Sequence, residues 1–460
     1  MAVKLAKNTD RFQIDMTKGP LLWQIVVFAF PLIISGLLQL FFHAADFMVV
    51  GRFASHRALA AVGAPAPAIN LLVNIFLGLS VGTNVLVARY LGEDSRKKTS
   101  RAVHTAILFS CVGGTILAIA GVILSRPLLT YMGTPEDIMS MALVYTRIYF
   151  AGMPLVMLYN FGSAVMRAMG DTRRPFIFLL ISGIINVVLN LFFVLCCGMD
   201  VGGVALATVI SQGISAALIL KVLIGKRDSC RFNIRAIHME WKILSTMMMI
   251  GIPAGLQQAC FSFSNVIIQS SVNTFGSAAI AGLTGAVTWE CIGFFISGAI
   301  GQTVVSFVGQ NSGAKQFHRI RESIFDCAAL SGGLILIVGV FLFIFAEELL
   351  AVFNTDEEVI RWGVRRFKIT LPLLFSCGLQ ESLGGALRGM GKSFTPMIIT
   401  VFNVCVFRII WVKTVFEHFE SMESLLLSFP VSWGLNTLAM WAALYLILRK
   451  MPKKNAVLSK

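Results

Sequence analysis

Apolar runs long enough to cross a lipid bilayer recur along almost the whole 460-residue chain. A helix needs about 20 apolar residues to cross the hydrocarbon layer, whereas a membrane-barrel strand needs about ten residues of alternating polarity, a pattern these runs lack. Charged residues make up 13% of the chain, about half the share typical of soluble domains. We therefore predict an all-α integral membrane protein. The twelve predicted spans cover residues 22–50, 59–87, 102–124, 141–165, 176–197, 202–224, 243–272, 278–307, 323–346, 367–387, 395–416 and 425–448.

The excess of positive charge, formally +15, is concentrated on one side of these spans. An even number of spans leaves both termini on that side, together with most of the Lys and Arg. Loops rich in these residues stay in the cytoplasm. We therefore predict a multi-pass protein of a cell membrane, the inner membrane of a bacterium, with both termini cytoplasmic. The distribution explains the charge without nucleic acid as a partner. Four basic residues are exceptions, predicted on the outer side just before the tenth span: Arg361, Arg365, Arg366 and Lys368.

The second half of the chain repeats the first at a nearly constant distance. The motif RAMGDTRRP that begins at Arg167 matches RGMGKSFTP that begins at Arg388, an offset of 221 positions. The pair ending at Pro31 matches the pair ending at Pro253, one position further on. Six spans separate the copies, and an even number gives both copies the same orientation, so the repeats are parallel. We interpret the two turn motifs as cytoplasmic hinges, in which glycine permits a tight turn.

The repeat predicts how the chain is divided. We expect twelve transmembrane helices in two pseudo-symmetric six-helix lobes, residues 1–224 and 243–448. A cytoplasmic linker, residues 225–242, joins the lobes, and a basic cytoplasmic tail, residues 449–460, follows the second lobe. Bundles with parallel repeats commonly bind a substrate between the lobes and expose it to each side in turn.

Several segments resemble the multidrug and toxic compound extrusion (MATE) transporters. They are FPLIISGLLQLFFHAADFMVVGRF, GLSVGTNVLVARYLGE, VMRAMGDTRRPFI, IGIPAGLQQ and ALRGMGKSFTPMIIT. The similarity extends over roughly residues 20–450, nearly the whole chain. The resemblance implies twelve helices in two lobes. It also implies export of organic cations or other amphipathic compounds, driven by inward flow of H⁺ or Na⁺.

Asp46 is the strongest candidate for ion coupling. A charge in the hydrocarbon layer costs at least a few kcal/mol, so it normally faces a cavity or a partner. Asp46 lies in the outer half of the first span, where an apolar wall would favour its protonated form. The alternative is an aspartate that simply reaches water at the interface. The resemblance supports coupling, because the aspartate of this stretch is the cation-coupling residue of the family.

Three further polar residues could complete a cation site with Asp46. Asn186 and Asn190 are four residues apart and therefore share one face of the fifth span, and Thr208 lies on the sixth. Packing between helices is the alternative role for such residues. The resemblance adds that one family branch has an acidic residue at the position of Asn190. Since a hard cation prefers carboxylate oxygens, this chain favours H⁺ over Na⁺.

The second lobe carries two intramembrane carboxylates, Glu290 and Glu381. Either they line the substrate cavity or form a second proton site, or each is hydrogen-bonded within its lobe. Gln39 and Gln257, with its neighbour Gln258, are further candidates to face the central cavity. Arg408 occupies the position equivalent to Asn190, at an offset of 218. We expect a structural role for Arg408, as the partner of Glu381, because buried charges need partners.

Signatures of enzymes are missing from the sequence, which has no Walker A loop, HExxH or GxSxG motif. We predict no enzymatic activity, no cofactor and no metal site. The predicted function is secondary active multidrug efflux by antiport with alternating access, with a small amphipathic or cationic molecule as substrate, the lipid bilayer as environment and a monomer as the working unit. A flippase for lipid-linked saccharides or other lipids is the main alternative. A membrane-embedded enzyme and a channel are two others.

Overall fold

The computed structural model describes residues 12–53, 56–226 and 228–452. Within these residues the regular structure is helical, with no strand. The first eleven residues of the predicted first lobe and residues 453–460 of the predicted tail lie outside them. We label the long helices α1 to α12, and where a helix is broken the label covers both parts. They are α1 Leu21–Phe53, α2 Ala66–Gly92, α3 Arg96–Tyr131, α4 Glu136–Ala151 with Met153–Ala168, α5 Arg173–Leu191, α6 Asp200–Gly225, α7 Trp241–Val272, α8 Ser277–Gly313, α9 Phe317–Ile344, α10 Glu357–Gly389, α11 Phe394–Phe419 and α12 Met422–Arg449.

Each predicted span overlaps one of these helices almost completely. In the described part, ten helices are long and apolar enough to cross a membrane, or eleven when the two parts of α4, which meet at 44°, count as one. The segment predicted as residues 367–387 lies in α10, which is long enough at 33 residues. Gln380, Glu381 and Arg388 make α10 more polar than the others. A helix this polar in a membrane must bury its charges against protein.

Breaks in the helices occur at matching places in the two halves. Pro31 lies inside α1 and Pro253 inside α7, and proline removes a backbone hydrogen bond there. A π-helical stretch, Phe192–Cys196, extends α5, and another, Val412–Phe416, lies 220 positions later in α11. Such stretches are frequent at functional sites. The breaks therefore follow the duplication predicted from the sequence.

The two glycine turn motifs also have the same backbone conformation. Gly170 has φ +88° and Gly391 has φ +80°, a left-handed conformation that glycine adopts at little cost. Pro175 and Pro396 then lie in the first turn of the following helices, where proline is tolerated because the first amides have no partner. Both motifs thus form the tight turns that the sequence predicts.

The lobes interlock at the side of the bundle where α1 begins and α12 ends, which we call the terminal side; the opposite side is the far side. Phe28 of α1 packs edge-on against Phe307 of α8, with ring centroids 5.6 Å apart. Met247 of α7 is fully buried in the core of the first lobe. The first half of α1 therefore packs against the second lobe, and the first half of α7 packs against the first lobe.

Glycines allow the central helices α2, α7 and α8 to approach closely on the terminal side. An added Cβ at Gly92 would lie 2.0 Å from the Gln310 carbonyl oxygen, and one at Gly313 would lie 2.0 Å from the Arg89 carbonyl oxygen. These two contacts are related by the 221-residue offset. Between them and the middle of the bundle, Asn84 and Ser306 form a buried hydrogen bond of 3.0 Å across the lobes.

Beyond these contacts, α2 and α8 each carry a partly exposed stripe. It comprises Asn70, Asn74 and Leu77 on α2 and, at the 221-residue offset, Cys291, Phe295 and Gly298 on α8. Both helices contact both lobes, and we call the part of the bundle between the lobes the cleft. The glycine contacts and the Asn84–Ser306 hydrogen bond close the cleft on the terminal side.

Candidate functional site

In the first lobe the structure brings together four polar residues from three helices. Asn190 Nδ2 donates to Asp46 Oδ1 at 2.5 Å, and the same nitrogen lies 3.4 Å from Asn186 Oδ1. Asn186 Nδ2 in turn donates to Thr208 Oγ1 at 3.4 Å. The chain of contacts therefore runs from α1 through α5 to α6. We call Asp46, Asn186, Asn190 and Thr208 the first-lobe pocket.

The four residues of the first-lobe pocket differ in how deeply they are buried. Asn190 is 0% exposed and Asn186 is 5% exposed, whereas Asp46 and Thr208 are partly exposed. Because Asn186 and Asn190 are one helical turn apart, one face of α5 supplies both amides. The π-helical stretch begins at Phe192, two residues after Asn190. Asp46 is thus a carboxylate with one hydrogen-bonded oxygen at the accessible end of the pocket.

Two tyrosines of α4 belong to the surroundings of Asp46 and were not predicted. Tyr145 and Tyr149 lie within electrostatic range of its carboxylate, and their rings stack with centroids 6.3 Å apart. Tyrosines in an apolar run usually pack in a core, so the sequence offered little signal to single them out. Their hydroxyls are dipoles that can respond to the charge of Asp46.

The chemistry of the first-lobe pocket is that of a single negative charge. Amide and hydroxyl groups are neutral donors and acceptors, so Asp46 contributes the whole formal charge of the four side chains. Such a pocket can accept one proton or one monovalent cation. Among the described residues, no group of three His, Cys, Asp or Glu side chains is placed to hold a metal ion.

Glu290 does not line the substrate cavity; of the two roles considered for it, the structure shows hydrogen bonding within its lobe. It is 0% exposed, and Arg366 donates to both of its carboxylate oxygens, at 2.8 Å from Nη2 and 3.1 Å from Nε. Thr370 donates a further hydrogen bond of 2.6 Å. The expectation that Arg366 lies on the outer side is wrong, because α10 begins at Glu357 and carries Arg366 into the core of the second lobe.

Glu381 pairs with Arg388, not with Arg408. The side chain of Glu381 is 18% exposed, and Arg388 Nη2 donates to its Oε1. Arg388 Nη1 also donates to Gln257 Oε1 at 2.9 Å, and Gln257 Nε2 donates to Thr400 Oγ1 at 3.0 Å. Arg388 therefore does more than form a hinge: its side chain connects α10, α7 and α11. Glu381 and Arg388 are seven residues apart, a spacing that places them on one helical face.

The three glutamines take different positions. Gln39 is exposed on α1 and Gln258 is partly exposed on α7. Gln257 is 2% exposed and is held by Arg388 and Thr400, so it does not face the cleft as predicted. Of the side chains predicted to face the cavity, Gln39, Gln258 and Glu381 are exposed or partly exposed.

Arg408 is enclosed in the second lobe, at 1% exposure. Its Nε donates to Ser432 Oγ at 2.9 Å, and its Nη1 donates to Asn265 Oδ1 at 3.2 Å and Ser264 Oγ at 3.3 Å. Its guanidinium carbon lies 4.5 Å from the ring centroid of Phe429. The predicted pairing with Glu381 is therefore wrong, and the hydrogen-bond partners of Arg408 are all neutral.

The chain matches one family model and is similar to several known transport proteins. Residues 31–192 and 253–412 match the family model MatE, once in each lobe. The chain is 28% identical over 449 residues to the probable multidrug resistance protein YoeA of Bacillus subtilis, covering 94% of this chain and 95% of that protein. It is 24% identical over 405 residues to a FAD transporter of Shewanella oneidensis, covering 85% and 87%.

A solved structure gives the same architecture. It is described as the outward-facing conformation of a multidrug resistance MATE family transporter of the MOP superfamily, and it matches with a TM-score of 0.88 at 20% identity, covering 95% of this chain and 98% of that one. The predicted fold, all-α with twelve membrane helices in two lobes, is confirmed by this likeness.

Proposed function

Because the chain belongs to the multidrug and toxic compound extrusion (MATE) family, we propose that it is a secondary active exporter of organic cations or other amphipathic compounds, driven by the inward flow of protons. The observation that carries this proposal is the position of Asp46. Its carboxylate is the single formal charge of the first-lobe pocket, and it is partly exposed.

The number of carboxylates supports the proton as the coupling ion. A hard cation such as Na⁺ is bound best by several oxygen ligands that include carboxylates. The first-lobe pocket offers one carboxylate. Asn186 Oδ1 and Thr208 Oγ1 already accept hydrogen bonds from amide nitrogens, which leaves Asn190 Oδ1 as the one neutral side-chain oxygen without a partner. A proton needs a single acceptor atom, and Asp46 Oδ2 is free of the hydrogen bond from Asn190.

The proton and a cationic substrate compete for the charge of Asp46. When Asp46 takes up a proton from the far side, the hydrogen bond that Asn190 donates to it weakens, because hydrogen bonds to a charged acceptor are stronger than those to a neutral one. The attraction of the pocket for a cation is lost at the same time, and the substrate leaves. The lobes then change to the arrangement open on the terminal side, where the proton is released and a new substrate binds.

The orientation of this cycle follows from the loop charges. Positive loops remain in the cytoplasm, so the terminal side is cytoplasmic and the far side faces outward. The contacts around Gly92 and Gly313 and the Asn84–Ser306 hydrogen bond then close the cytoplasmic side, as an outward-facing conformation requires. The membrane is the inner membrane of a bacterium.

The test uses purified protein in liposomes loaded with a fluorescent organic cation. A pH gradient and a Na⁺ gradient are imposed separately, and transport of the dye is followed. We expect the pH gradient to drive transport and the Na⁺ gradient to have no effect. Asp46→Asn should insert and fold but lose transport driven by the pH gradient, because it cannot take up the proton.

Asp137→Asn is the matched control, since Asp137 is an exposed carboxylate on the far side, in the first turn of α4. It should transport like the wild type. Wild-type transport by Asp46→Asn would contradict the proposal. Gradient-independent movement of a labelled lipid-linked saccharide in the same liposomes, without transport of the dye, would favour the flippase alternative.

A further inference from the structure

The second lobe contains a counterpart of the first-lobe pocket, built from the corresponding helices. Asn265, Arg408 and Ser432 lie on α7, α11 and α12, the helices that correspond to α1, α5 and α6. Each is within one helical turn of the position that the 221-residue repeat gives for Asp46, Asn190 and Thr208. Arg408 donates to both Asn265 and Ser432. The duplication thus produced the same three-helix arrangement twice, with a carboxylate in one copy and a guanidinium in the other.

The charge of Arg408 is not balanced by its own hydrogen-bond partners. Ser264, Asn265 and Ser432 are all neutral, and no described residue accepts a hydrogen bond from its Nη2. Phe429 covers one face of the guanidinium, and an aromatic face interacts with a cation more weakly than a carboxylate does. A buried charge without a counter-charge is strongly unfavourable.

The buried carboxylates of the same lobe have other partners. Glu290 is held by two hydrogen bonds from Arg366 to one of its oxygens and one to the other, together with Thr370. Glu381 is paired with Arg388. The interior of the second lobe contains three guanidinium groups and two carboxylates among the described residues, so it has one excess positive charge. That excess lies at Arg408.

A polar face of α7 includes the residue next to Arg408. Asn265 is exposed, although Arg408 behind it is enclosed. One face of α7 carries four polar residues at helical spacing, Gln258, Ser262, Asn265 and Gln269. All four are exposed or partly exposed. The amide nitrogen of Asn265 is free to donate, since its oxygen accepts from Arg408.

We propose that Arg408, with Asn265 beside it, is a binding site for a small monovalent anion of the chloride class. The donors left for the anion are Arg408 Nη2 and the Asn265 amide, since the hydroxyls of Ser264 and Ser432 already donate to backbone carbonyls. One excess positive charge matches one negative charge, and the neutral groups around Arg408 do not provide the several cationic groups that a phosphate prefers. The near-complete enclosure of the guanidinium selects a small ion. This site is separate from the coupling residue Asp46, and it does not require that the chain export anything.

Thermal unfolding of the purified protein in detergent tests the proposal, with chloride exchanged for gluconate at constant Na⁺ and ionic strength. A ligand that binds the folded state raises the unfolding temperature. We expect a higher Tm in chloride for the wild type, loss of that increase in Arg408→Gln, and a smaller increase in Asn265→Ala. Arg365→Gln is the control, because Arg365 lies half-exposed against Trp362 and Glu423, and it should keep the full increase.

Crystals of the wild type grown in bromide provide a second measurement that does not depend on a variant folding. An anomalous peak within hydrogen-bonding distance of Arg408 or Asn265 is expected. The proposal is overturned by a chloride-dependent increase in Tm of the same size in Arg408→Gln and wild type, or by bromide crystals without a peak beside Arg408.

Discussion

The two lobes treat their intramembrane carboxylates in opposite ways. In the first lobe, Asp46 is partly exposed and is held by a neutral amide. In the second lobe, the carboxylates have arginine partners, and the fully buried one, Glu290, receives three hydrogen bonds from Arg366 and one from Thr370. A charge that must change during a transport cycle needs neutral neighbours, whereas a charge that holds helices together needs a fixed partner. The duplication thus allowed one copy to become responsive and the other to become rigid.

The largest effect is expected from breaking the rigid pair. Glu290→Gln leaves Arg366 buried without a carboxylate, and removing one partner of a buried ion pair costs about 3–5 kcal/mol. The variant should unfold at a much lower temperature in detergent, or fail to accumulate in the membrane, whereas Asp46→Asn should unfold close to the wild-type temperature. Glu417→Gln, an exposed glutamate at the end of α11, is the matched control.

The double variant Glu290→Gln with Arg366→Gln distinguishes the cost of an unpaired buried charge from the cost of altered packing. It removes both charges, so it should recover part of the stability lost in Glu290→Gln. Equal destabilisation by Asp46→Asn and Glu290→Gln would contradict the distinction between a responsive and a rigid carboxylate.

A smaller effect, on ion preference, is expected from Asn190→Asp. This substitution places a second carboxylate beside Asp46, where the wild-type amide nitrogen lies 2.5 Å from Oδ1. Two carboxylates so close cannot both remain charged unless a cation lies between them or they share a proton. The variant should therefore gain a Na⁺-dependent increase in Tm that the wild type lacks, measured in NaCl against choline chloride. A Na⁺-dependent increase already present in the wild type would show that one carboxylate is enough for Na⁺.

The residues of the first-lobe pocket could be predicted from the sequence because their signals are local. Asn186 and Asn190 are one turn apart on a helix, Asp46 is a rare charge in an apolar run, and the resemblance joined them to Thr208. The fold followed from span length and from the repeat, which the match of the family model to each lobe reproduces. These features depend on short stretches of chain and on helix periodicity.

The partners in the second lobe could not be found in the same way, because they depend on where long helices end. Arg366 was assigned to the outer side because it lies just before the predicted tenth span, residues 367–387, but α10 begins at Glu357 and carries it into the packed lobe. Arg388 was assigned to a turn motif, although it still lies on the last turn of that helix. Which arginine meets which carboxylate is decided by the packing of α7, α8 and α10, and the sequence offers no direct signal for it.

The central claim is that Asp46 exchanges a proton for a cationic substrate, and proton release on substrate binding tests it most directly. Purified protein in a weakly buffered detergent solution is mixed with an organic cation at a pH where Asp46 is protonated, and the pH is recorded. The account predicts that the wild type and the control Asp137→Asn acidify the solution in proportion to the substrate bound, while Asp46→Asn releases no proton. Equal acidification by wild type and Asp46→Asn would show that the exchanged proton comes from another group.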